Sequence, residues 1–98
     1  QMVVIPISDK FNDYASSVYD KLKENNFRVK KDLRNEKMGS KIRDAELNKI
    51  PIMIIIGENE VNENTVSVRR KFKGNLGSLS IDDFVNQITK EVLSRNLP

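Results

Sequence analysis

A chain of 98 residues with 17 Lys and Arg against 14 Asp and Glu, a net charge of +3, has room for one domain and none for a second catalytic lobe. It contains no His, Cys or Trp, which excludes disulfides, Cys- or His-ligated zinc and every Ser-His or Cys-His nucleophile pair. No apolar run approaches the ~20 residues needed to cross a bilayer, and no signal peptide is visible, so the chain reads as a small, soluble, mildly basic domain from a reducing or cysteine-indifferent compartment.

Met2–Ile7 is nearly all apolar and β-branched, as expected of a strand buried on both faces. Phe11, Ala15, Val18 and Leu22 then form one apolar helical stripe. Ser8 or Asp9 caps its start, and Asn25 or Asn26 takes the left-handed turn at its end. Phe27–Leu33 alternates, with Phe27, Val29 and Leu33 inward, which predicts a half-exposed edge strand. A second helix starts at Gly39 or Ser40, turns Ile42, Ala45, Leu47 and Ile50 inward, and is stopped by Pro51. Ile52–Ile56 is another doubly buried strand. Strand, helix, strand, helix, strand is the order that parallel crossovers require.

After Gly57 the pattern changes. Asn62, Glu63 and Asn64 read as a polar turn, Thr65–Arg69 as an alternating strand with Val66 and Val68 inward, and Phe72–Leu79 as a weaker strand kinked by Gly74 and Gly77. The short connection implies antiparallel pairing and therefore a mixed α/β sheet. Asp82 and Asp83 open a last helix, as its dipole favours. Its inward stripe is Phe84 or Val85, with Ile88 and Val92.

Charge is patterned along the chain. Residues 28–49 carry eight bases against four acids, and Arg69, Arg70, Lys71 and Lys73 add four bases with no acid among them. Glu58, Glu60 and Glu63 lie between the blocks. Two basic blocks around an acidic loop suit a polyanion read through selective carboxylate contacts, although a charge run is more often an ordinary solvated face. Catalytic motifs are missing: Gly39, Gly57, Gly74 and Gly77 fall in no phosphate-loop spacing, and the hydroxyl groups have no His base. Glu58 and Glu60 could pair as acid and base, but two acids on a loop are ordinarily just solvated. A recognition module fits better than an enzyme.

The run Asp32-Leu33-Arg34-Asn35-Glu36-Lys37-Met38-Gly39 with Lys41-Ile42-Arg43 resembles a signature of the threonyl-tRNA synthetases. Lys49-Ile50-Pro51, Ile56-Gly57-Glu58-Asn59-Glu60-Val61, Val66-Ser67-Val68-Arg69 and Leu76-Gly77-Ser78 continue it. The match spans essentially the whole chain and falls in the C-terminal anticodon-binding domain of that family. The resemblance implies a three-layer fold, a mixed five-stranded sheet with three helices, as in the anticodon-binding domains of class II synthetases. It implies one domain over residues 1–98, cut from a longer enzyme since the chain starts abruptly at Gln1, that binds the anticodon loop of tRNA(Thr) and is not itself catalytic. It also implies a catalytic domain elsewhere with ATP, Mg²⁺ and Zn²⁺, no cofactor here, no membrane, a monomer for the domain alone, a homodimer for the parent, and a cytoplasmic or organellar setting. The competing reading is an accessory or regulatory subunit that reuses the fold without the base-reading residues.

The threonine anticodon carries G and then U at its second and third positions. Guanine offers two adjacent donors, which a carboxylate matches, and the resemblance assigns that task to Glu60. Uracil offers O2 and O4 to a guanidinium fork, and the resemblance assigns Arg69. Asn35 carries a donor and an acceptor and is also a common turn former. Lys49 stands where the family often has Arg. The charge is kept and the bidentate fork is lost, which favours a phosphate over a base. Arg34, Lys37, Lys41, Arg43 and Lys71 are the expected phosphate-positioning groups, with an internal Arg34–Glu36 ion pair as the alternative use of Arg34. Phe72, between Lys71 and Lys73, is the aromatic best placed to stack on a base.

Overall fold

The structure, a computed structural model, describes residues 2–34, 36–70 and 74–96, without the side chains of 74–76 and 91–96. The elements run β1 (Met2–Pro6), α1 (Asn12–Glu24), β2 (Val29–Lys31), α2 (Met38–Leu47), β3 (Ile52–Ile56), α3 (Glu58–Glu63), β4 (Thr65–Arg70), β5 (Gly74–Ser80) and α4 (Ile81–Asn96). They form one five-stranded sheet in the order β2-β1-β3-β4-β5. β1 runs parallel to β2 and β3, whereas β3–β4 and β4–β5 are antiparallel, so the sheet is mixed as expected.

Side-chain alternation divides the core in two. Met2 and Val4 join Ile52, Ile54, Ile56, Val66 and Val68 on the face covered by α1 and α4, whose Ala15, Val18, Leu22, Phe84 and Ile88 are buried there. Val3, Ile5 and Met53 point the other way, onto Ile42, Ala45 and Ile50 in and after α2. Helix α2 packs over β1, and among the described residues it covers the same face of β4 less closely, leaving a cleft between them. Ser67 and Arg69, opposite Ile55 and Met53 in register, line that cleft. The Ser67 hydroxyl meets that of Ser78 on β5 at 3.3 Å.

Three local readings are corrected. The segment after Gly57 is not a turn alone: six residues form α3, so the described residues hold four α-helices where three were expected. Asn64 ends α3 in the left-handed conformation (φ 56°). Strand β2 is three residues, not seven. Asn26 delays it with φ 66°, and the Asp32 carboxylate ends it by accepting from the Arg34 amide at 3.3 Å, the local turn that Asp favours. A 3-10 turn (Asp9–Phe11) precedes α1, and the Ser8 hydroxyl caps it by accepting from the Lys10 amide.

Candidate nucleic-acid interface

Arg34 is locked by two acids. Its Nε and Nη2 donate to Asp32 Oδ1 and Oδ2 at 2.8 and 2.7 Å, and Nη2 also reaches Asp44 Oδ2 at 2.7 Å. The ion pair expected with Glu36 is therefore made with Asp32 and Asp44 instead, tying the end of β2 to α2. These bonds use Nε and Nη2 and leave the remaining donors of the fork, on Nη1, for a ligand. The guanidinium holds the Asp32 carboxyl below the usual carboxylate range, although partial burial opposes this. The stability Asp32 contributes is thus present above about pH 3.9, the unfolded-state value, and is lost as pH falls through the lower folded-state value. Chemical denaturation at pH 3 and pH 6 should show a pH-dependent loss in the wild type that is smaller in Asp32→Asn.

Arg34, Lys37 and Lys41 border one cleft of about 290 Å³ with Ile7, Ser8, Asp9 and Glu36. It opens where β1 and β2 end and α2 begins. Lys37 is exposed at the start of α2, which has no side-chain cap and no acid in its first turn. Unpaired amides and a positive helix end favour an anion here. Lys41 has a structural task the sequence did not show. It is 3% exposed, and its ammonium donates to the Pro6 carbonyl at 3.2 Å, so it forms the cleft's inner wall. Arg43 is exposed on α2. Lys49 lies past the far end of that ten-residue helix, about 15 Å from its start, with φ 58°. The structure does not bring it to the cleft. Asn35, Lys71 and Phe72 lie outside the described residues.

Glu60 is the third residue of α3, and its Oε1 accepts from the Gly57 amide at 2.7 Å. This is the carboxylate half of a capping box. The cap fixes one carboxylate oxygen and leaves acceptor sites on both. Tyr14 of α1 donates its hydroxyl to the Thr65 carbonyl at 2.7 Å, pinning the start of β4. Burial first, and the Glu60 charge second, push the Tyr14 pKa up. Gly57 sits in a tight spot: a Cβ there would lie 3.0 Å from Ile7 Cδ1 and 3.2 Å from Glu60 Oε1, both ends of side chains that can give. Gly57→Ala should change stability in urea denaturation by less than about 1 kcal/mol, because both neighbours are the ends of flexible side chains and Ile7 is exposed.

Arg69 is exposed on this face of β4. It rims a second cleft of about 130 Å³ with Met38, Ile42, Ile55, Ser67 and Val68. Beside it β5 carries an irregularity, with Ser67 opposite Ser78 but Arg69 opposite Asn75. Gly77, at φ 88°, supplies the left-handed residue that such a bulge favours. Gly-x-x-Glu is the sequence signal that could have found the Gly57–Glu60 cap, although the segment reads as a loop without it. The place of Met38 at the second cleft has no such signal, because a methionine at a helix start carries none of its own. Among the described residues, no group of His, Cys, Asp and Glu is placed to hold a metal, and no helix is long and apolar enough to cross a membrane.

Residues 1–91 match the family of the anticodon binding domain. The threonine–tRNA ligase of Aquifex aeolicus is 47% identical over 95 residues, covering 97% of this chain and 15% of the relative. That of a Sulfurihydrogenibium species is 52% identical over 94 residues, covering 96% and 14%. The chain thus spans about 15% of the length of these curated relatives. The solved RNA binding domain of threonyl-tRNA synthetase from Cryptosporidium parvum Iowa II superposes with a TM-score of 0.88 at 29% identity, over 92% of this chain and 23% of that one. A Nostoc histidyl-tRNA synthetase, at TM-score 0.85 and 20% identity over 94% of this chain and 22% of its own, shares the fold. The resemblance carried by the Asp32–Arg43 run is borne out.

Proposed function

The chain belongs to the anticodon binding domain family, and from that premise we propose that it is the anticodon-reading module of a threonine–tRNA ligase. One observation carries this reading: the cleft face of β4 presents Arg69 beside the uncapped, base-flanked start of α2. Glu60 accepts the two donors of guanine at the second anticodon position. Arg69 donates to O2 or O4 of uracil at the third, and Asn35 is the further base-reading residue. Lys37, Arg43, Lys71 and the free edge of Arg34 hold backbone phosphates, and Lys49 meets phosphate further along the RNA, whereas Lys41, buried with its ammonium on the Pro6 carbonyl, backs the cleft instead of meeting phosphate as expected. Such contacts fix register, whereas the base contacts carry sequence.

Threonine activation falls to other parts of a longer enzyme that binds ATP and Mg²⁺. The family resemblance implies a zinc site there too, outside this chain, which has no His or Cys to supply. The domain by itself is a monomer that charges no tRNA, and the parent is a homodimer of the cytoplasm or an organelle. Binding of an anticodon stem-loop, followed by fluorescence anisotropy from 50 to 200 mM salt, tests the reading. Five phosphate contacts to single-stranded RNA predict a slope of log K on log salt of about −3.5. A flat response shows that the basic cleft is not the docking surface.

A further inference from the structure

We infer that the cleft between α2 and β4 is a slot for a single pyrimidine base, in which Met38 does the stacking that an aromatic side chain does elsewhere. The inference rests on the anticodon reading and adds a residue that decides how the third base is held. At about 130 Å³ the cleft is too small for the small-molecule ligands that fill roughly 300–1,000 Å³. It suits one planar ring entering from the open side. Its walls are aliphatic, from Ile42 and Ile55, and its rim is polar, from Ser67 and Arg69. That combination fits an object with an apolar face and a hydrogen-bonding edge, which describes a nucleobase.

Recognition of splayed-out bases ordinarily uses an aromatic or Arg plane. No described residue lining this cleft is aromatic. Met38 takes the position instead. It is 39% exposed at the first residue of α2, whereas Met2 and Met53 are 2% and 3% exposed in the core. A thioether is polarizable and flexible, and it makes favourable contacts with aromatic rings. The surroundings are cationic, with Lys37 next to Met38 and Arg69 across the cleft, so the phosphates flanking the base are drawn to the same place.

The test uses the full 98-residue chain and two anticodon stem-loops. One carries uridine at the third anticodon position, the other 5,6-dihydrouridine. The reduced base keeps O2, N3–H and O4 but loses the planar π face. Wild type should bind the uridine loop about three- to tenfold more tightly, the span expected for a sulfur–ring contact. Met38→Ala should lose the same factor on the uridine loop and no longer distinguish the two loops. Met38→Leu, which keeps the volume, should retain most of the affinity. In ¹³C-methyl spectra the Met38 ε-methyl should shift on binding, while Met2 and Met53 stay in place and report an intact fold. Met38→Ala with wild-type affinity, an undiminished preference for uridine, or a silent Met38 methyl overturns the slot while loop-selective binding persists. Equal binding to a scrambled loop overturns the anticodon reading, and the slot with it.

Discussion

Phe84→Ala should lower the stability of the chain by about 3–5 kcal/mol, the usual cost of emptying a buried aromatic site. Phe84 is 1% exposed in the larger core cluster, where α4 meets the strands and α1. Its neighbours Asp82 and Asp83 are exposed, and Val85 is only partly buried, so Phe84 anchors the first turns of α4 and Ile88 supports it one turn on. Small domains hold about 5–15 kcal/mol in all. The variant should therefore unfold at a much lower urea midpoint with an unchanged slope. A loss below about 1 kcal/mol would show that α4 is held by something other than this ring.

Glu60→Gln should separate the two tasks of that side chain. The amide oxygen can still accept from the Gly57 N–H, so the α3 cap and the fold should survive. The amide nitrogen would face the guanine donors with a donor of its own. Binding to a loop with G at the second position should weaken by about 1–3 kcal/mol, the range for a bidentate base contact. A loop with another base there should lose little, because the contact was never made. Glu60→Ala removes cap and contact together and should cost stability as well. An equal loss of Glu60→Gln on both loops would make Glu60 a structural or generally electrostatic residue. Anisotropy titration of both loops against both variants reads these differences.

Much of this architecture follows from patterns that need no partner to be seen. The doubly buried runs Met2–Pro6 and Ile52–Ile56 and the Phe11–Leu22 stripe are long and strongly periodic, so the strands and α1 lie where the apolar spacing puts them. α3 was illegible for the opposite reason. Its six residues contain one apolar side chain, Val61, and no helical period can be read from one residue. β2 was overextended because alternation continues through Leu33, while the Asp32–Arg34 contact that turns the chain is a side-chain event. The charges at the site divide in the same way. Exposed Arg69 follows from alternation on its strand. The burial of Lys41 against the Pro6 carbonyl, and the capture of Arg34 by Asp44 ten residues on, depend on how α2 crosses the sheet.

The most direct test of base reading is a titration of the wild-type chain against four anticodon stem-loops that differ only in the second anticodon base. Loss of the guanine contact should weaken the three non-cognate loops about tenfold or more, since one lost bidentate contact is worth about 1–3 kcal/mol. The salt dependence should be the same for all four, because the phosphate contacts are shared. Equal affinity for all four loops would contradict anticodon reading by this surface and leave only a non-specific hold on the RNA backbone.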